Sequence, residues 1–121
     1  MKTCKLLREQ VAAATGSKKA ELVLKNAQIV NVFTQSVETG DIAIEGGYIV
    51  GIGNYEGITE KDLGGAYVCP GFLDGHIHIE SSMTSPGEFE RAVVPHGTIA
   101  VITDPHEIAN VAGTQGIQFM M

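Results

Sequence analysis

All four histidines of this 121-residue chain, His76, His78, His96 and His106, lie in one stretch that begins at Tyr67 and closes at Glu107. Two of them form a His-x-His pair at the end of the apolar run Phe72-Leu-Asp-Gly-His-Ile-His78. Residues two apart on a β-strand share a face, with Cα atoms roughly 6.6 Å apart. Two imidazoles so placed can converge on one metal ion, with bonds of about 2.0–2.1 Å if it is zinc. The next apolar run, Thr98-Ile-Ala-Val-Ile-Thr103, is followed by Asp104-Pro-His-Glu107, a second set of metal-type donors. Alone, a His-x-His pair is often an accident of a polar strand end. Two successive loops that both deliver such donors are a stronger signal.

The elements that must position these residues can be read around them. Residues 72–78 predict a strand. Ser85-Pro-Gly-Glu88 predicts a helix start, with Ser85 as cap, Pro86 at the first helical position and Glu88 completing a capping box. Phe89, Ala92 and Val93 give that helix (86–94) one apolar face, and Pro95 to Gly97 ends it. Residues 98–103 read as a strand buried on both faces. Asp104-Pro105 stops it, and a helix over 106–112 follows, closed by Gly113. A βαβα order belongs to a parallel sheet. Both donor sets then follow strand ends, on the rim where (β/α)₈ barrels build their active sites.

Upstream, Cys4, Leu7, Val11 and Ala14 recur at helical spacing and predict an amphipathic helix from Thr3 to Thr15, with Gly16 at its end. Glu21–Lys25 and Ala27–Phe33 read as two short strands meeting at Asn26. Gly46-Gly47 is a two-residue hairpin turn joining Ile42–Glu45 to Tyr48–Ile52. Asn54 to Gly65 reads as a connection. Together these predict an antiparallel sheet, one layer of a small β-sandwich. The expected organisation is an N-terminal helix (1–19), a partial sandwich (20–66) and two β/α units of an incomplete barrel (67–121), an α/β protein.

Composition bounds the function classes. Hydrophobic residues make up 44% and charged residues 18% of the chain, which argues for a packed core and against bulk disorder. A formal charge of −6 argues against a nucleic-acid binder, and no Lys/Arg cluster offers itself to anionic lipid. Cys4 and Cys69 are expected as separate thiols in a reducing cytoplasm. Arg8, Glu9 and Gln10 interrupt what would be the apolar centre of a signal peptide. The charge-free run from Ile108 to Met121 is 14 residues, short of the roughly 18 needed to span a bilayer.

Pro70-Gly-Phe-Leu-Asp-Gly-His-Ile-His78 resembles the first-strand signature of the amidohydrolase superfamily, shared by dihydroorotases, hydantoinases and many deaminases. The continuation is narrower: His78-Ile-Glu-Ser-Ser-Met83, Pro95-His-Gly-Thr98 and Asp104-Pro-His-Glu-Ile-Ala-Asn-Val111 resemble the adenine deaminases of that superfamily. Residues 20–53 are similar to their N-terminal β-sandwich. The resemblance implies hydrolysis of adenine to hypoxanthine and ammonia in a deformed (β/α)₈ barrel, in a cytoplasmic homo-oligomer. It also implies a divalent metal centre, often binuclear, of manganese or iron, with zinc as an alternative. A metal can lower the pKa of water to about 7; attack at C6 of the purine follows, with a carboxylate moving the proton to the leaving nitrogen. By match to the motifs, His76 and His78 are metal ligands, joined by His106 and Glu107. Asp104 and Glu80 are candidate catalytic carboxylates. A full barrel takes about 250 residues, so the further ligands and the main acid–base group are expected beyond Met121, and the 121 residues alone are expected to be inactive.

Blander readings exist for each residue. His106 and Glu107 could simply begin a helix capped by Asp104. His96, before a glycine, reads as structural, Glu80 could be a solvated loop acid, and Ser81 and Ser82 read as loop formers. Two other functions compete with the deaminase. One is a different cyclic amidohydrolase, hydantoinase- or dihydroorotase-like; the other is a non-catalytic module with adventitious metal binding.

Overall fold

The structure, a computed structural model, describes residues 4–121 and shows a mixed α/β chain that forms two compact units dividing between Cys69 and Pro70. Thr3, the expected first residue of the helix, lies outside the described residues.

In the first unit, helix α1 (Cys4–Ala14) ends in a Schellman motif: Ser17 N–H donates to Ala12 O at 3.0 Å and Gly16 N–H to Ala13 O at 3.1 Å, with Gly16 at φ 72°. The buried face is not the predicted Leu7–Val11 stripe, both of which are 55% exposed. Gln10 and Ala13 are buried instead. Ala13 is small enough to let the helix close on the sheet, and Gln10 Nε2 donates to Glu45 O at 3.2 Å, so polar chemistry overrides hydrophobic periodicity here.

The sheet has the order β3-β2-β1-β4, with β5 also pairing β1. Strands β1 (Ala20–Asn31), β2 (Ser36–Glu45) and β3 (Tyr48–Gly53) are antiparallel neighbours. Strands β4 (Gly57–Asp62) and β5 (Tyr67–Val68) run parallel to β1. Three expectations are corrected. The sheet is mixed rather than antiparallel, since β4 and β5 run parallel to β1. The stretch read as a connection contains β4. A Cβ at Gly57 would lie 2.5 Å from Thr59 O and 3.0 Å from Val23 Cγ2, so the missing side chain permits this close parallel approach. Finally, β1 is continuous through Asn26, which adopts φ 56° at a register shift between Leu24 and Ala27. The irregularity survives because Asp41 serves it. Its carboxylate accepts from Asn26 N–H at 3.1 Å and from Tyr55 N–H at 3.3 Å, and pairs with Lys25 Nζ. The core gathers Ala13, Ala20, Val23 and Ala43 in one cluster and Ala27, Ile29 and Ile42 in another.

In the second unit, β6 (Phe72–Ile77) pairs in parallel with β7 (Thr98–Thr103). The crossover carries a 3-10 turn (Ile79–Ser82), helix α2 (Pro86–Val93) and a second 3-10 turn (Val94–His96). Ser85 caps α2 by accepting from Glu88 N–H, with proline in the first turn. Helix α3 (His106–Met120) runs past the expected end, but Gly113 breaks it with φ 59° and ψ −145°. His76 and His78 flank the last residue of β6, and Asp104, His106 and Glu107 follow β7, so the metal-type donors gather at the C-terminal ends of both strands. The expectation that β7 is buried on both faces is corrected: Ile99 and Ile102 are 67% and 68% exposed, since among the described residues this sheet has only two strands. Among the described residues, no helix is long and apolar enough to cross a membrane.

Candidate metal centre

The ladder between β6 and β7 slips between Asp74 and Ile77. There Asp74 Oδ1 accepts from His76 N–H at 3.0 Å, so the strand end is turned by its own side chain. Past the slip, Asp104 N–H donates to Ile77 O at 3.1 Å, holding the loop after β7 against the end of β6. These local contacts bring His76, His78, Asp104, His106 and Glu107 together.

His76 Nε2 and His78 Nε2 lie 3.0 Å apart, with ring centroids at 4.8 Å and planes at 74°. His78 Nδ1 is 2.8 Å from the Asp104 carbonyl oxygen. A carbonyl only accepts, so His78 carries its proton on Nδ1, and a neutral imidazole then has its lone pair on Nε2. His106 Nδ1 is 3.0 Å from Asp104 Oδ2, and its ring stands edge-on to His78 at 4.8 Å. Asp104 thus orients two histidines, one through its backbone and one through its carboxylate.

Two groups of donors result, His76–His78–Asp104 and His78–His106–Glu107, each with its ligand atoms within 4.8 Å of one another and both sharing His78. The donor set fits a divalent cation. An ion at about 2.0–2.1 Å from two nitrogens, about 90° apart, needs those nitrogens roughly 2.9 Å apart. The observed 3.0 Å therefore asks for little movement. Imidazole and carboxylate, without thiolate, suit manganese, iron or zinc. Both cysteines are free and outside these groups.

Glu80 sits beside this cluster but is engaged elsewhere. Its Oε1 accepts from Ile108 N–H at 3.4 Å, and its Oε2 is buried without a partner. Its own amide N–H holds the carboxyl below the ordinary glutamate value, against the cost of desolvation, with the Ile108 and Glu107 amides adding to the effect. His96 closes the 3-10 turn before β7, at the opposite end of that strand from Asp104. Ser81, read from sequence as a loop former, donates from Oγ to Glu107 Oε2 at 2.8 Å. No periodicity marks it, because its partner lies 26 residues away.

Residues 67–121 match the model of the Amidohydrolase family. The similarity to proteins called adenine deaminase runs the whole length of the chain. Adenine deaminase 2 of Carboxydothermus hydrogenoformans is 59% identical over 117 residues, 97% of this chain and 20% of that protein. The adenine deaminase of Geobacillus kaustophilus is 60% identical over 95% of this chain and 20% of its own length. That of Listeria monocytogenes is 51% identical over 100% of this chain and 21% of its own length. The chain therefore spans about a fifth of the length of these relatives. An L-hydantoinase (dihydropyrimidinase) from Arthrobacter aurescens superposes with a TM-score of 0.43 at 28% identity, over 50% of this chain and 14% of its own.

Proposed function

We propose that this chain contributes the first metal-binding segment of an adenine deaminase, a hydrolase that converts adenine and water to hypoxanthine and ammonia. The observation that carries the reading is the convergence of the His76 and His78 Nε2 atoms at 3.0 Å, beside Asp104, His106 and Glu107. The 59% and 60% identity, over nearly all of this chain, to proteins of that name supports the substrate. In this reading residues 67–121 are the first two strand–helix units of a (β/α)₈ barrel, residues 20–66 a partial sandwich, and the enzyme a cytoplasmic homo-oligomer.

His76 and His78 would hold the cation, manganese or iron with zinc as an alternative, and His106 and Glu107 would be available to a second one. When bound, the cation supplies an ionised water near neutral pH. The Asp104 carbonyl keeps the His78 Nε2 lone pair available by binding the Nδ1 proton. The Asp104 carboxylate, bonded to His106 Nδ1, is placed to take and return a proton through that contact. Glu80 is better suited to fixing the first turn of α3 than to moving protons, since one oxygen is bonded there and the other buried. The partners are thus a purine and metal ions.

The test is an assay of a full-length protein carrying this segment, loaded with Mn²⁺ or Fe²⁺, against adenine, hydantoin and dihydroorotate. Ammonia released from adenine alone is expected, with loss of turnover in His76→Ala. Turnover of either cyclic amide in preference to adenine overturns the reading.

A further inference from the structure

The Glu80-Ser81-Ser82 run is the part of the site region that the proposed reaction leaves unexplained. It forms a single 3-10 turn, and that turn is fixed on three sides. Ile79, only 5% exposed, anchors it. Ser81 N–H donates to His78 O at 3.1 Å, tying the turn to the shared histidine of both donor groups. Glu80 Oε1 accepts from Ile108 N–H, and Ser81 Oγ donates to Glu107 Oε2 at 2.8 Å, tying it to the first turn of α3. One residue, Ser81, therefore touches the His78 backbone and the Glu107 carboxylate together.

We propose that Ser81 is a positioning residue that presets the Glu107 carboxylate for a divalent cation held with His78 and His106. An exposed glutamate samples many rotamers and loses that freedom on ligation. A hydroxyl that already holds Oε2 removes part of the loss and leaves Oε1 for the cation. Hydrogen-bond partners of this kind, one step removed from the ion, alter metal affinity by about 10–100-fold. The role rests on the reading of the cluster as a metal centre, and the two are separable by experiment.

The experiment is a Co²⁺ titration of the 121-residue chain, followed by visible absorption against a competing chelator, with thermal melting of each variant in parallel. Ser81→Ala is expected to weaken Co²⁺ binding by about tenfold or more, with melting unchanged. Ser81→Thr, which keeps the hydroxyl, is expected to restore affinity. Ser82→Ala, which removes the neighbouring hydroxyl bonded to Ile79 O, is expected to leave affinity as it was. Wild-type affinity in Ser81→Ala overturns the role of Ser81, as does an equal loss in Ser82→Ala, which would report on the turn alone. His78→Ala and Glu107→Ala test the underlying reading. Undiminished Co²⁺ absorption in both removes the metal centre itself, whereas loss in both with full binding by Ser81→Ala removes only the positioning.

Discussion

The two units use their charged and polar groups in opposite ways. In the first, each buried charge has its partner: Asp41 with Lys25 and two backbone amides, Glu45 with Lys18 at 2.9 Å and Glu21 N–H at 3.0 Å. Those carboxylates complete a fold, replacing missing ladder bonds at a bulge and a strand end. In the second unit His76, His78, Asp104, His106 and Glu107 are mostly exposed and gathered at one end of a two-stranded sheet, with histidine against histidine. Exposed polar pairs add little to stability, so this arrangement is poorly explained as scaffolding. Paired and buried charge supports structure, while clustered, exposed and donor-rich side chains support ligand binding.

The sharpest way to break that comparison is a matched pair of isoleucines. Ile42→Ala, at a site 3% exposed in β2, is expected to cost about 2–5 kcal/mol in chemical denaturation. Ile102→Ala, 68% exposed in β7, is expected to cost less than about 0.5 kcal/mol. Equal losses would show that β7 packs as tightly as the core of the first unit.

A smaller effect separates the units by pH. Burial alone would raise the Asp41 carboxyl, but the bonds from Lys25, Asn26 and Tyr55 outweigh it and hold it below its ordinary value. The hydrogen bond from Lys18 does the same for Glu45, against burial. A carboxyl lowered in the folded state binds fewer protons there than when unfolded, so its contribution is complete above the unfolded value near 4. That contribution fades as pH falls through the folded value. Urea midpoints between about pH 5 and pH 2 should therefore fall more steeply for the wild type than for Asp41→Asn. Parallel slopes would remove Asp41 from the account. Smallest of the three, Ser85→Ala should cost about 0.5–1 kcal/mol locally, read as faster amide exchange in α2 alone. Undiminished protection there would show that the cap is idle.

Much of the second unit was legible because its signals are local. Ser85-Pro86 starts α2, Gly97 at φ 97° ends its trailing turn, and the apolar runs give β6 and β7. The donor cluster was legible for the same reason: strand ends fix where His76, His78 and Asp104 emerge. Features set by distant partners were not legible. Gln10 displaced Leu7 from the helix's buried face because Glu45 O needed a donor, and Ser81 found Glu107 across 26 residues. The parallel pairing of β4 depended on the bare backbone of Gly57 meeting Val23, which no alternation within Gly57–Asp62 records.

The central claim is that His76 and His78 share a cation through their Nε2 atoms. Long-range ¹H–¹⁵N spectra of the histidine side chains during a Zn²⁺ titration test it directly. The account predicts that the Nε2 signals of His76 and His78 shift together and saturate, while those of His96, at the other end of β7, stay in place. Signals that do not move, or a His96 shift equal to theirs, would contradict it.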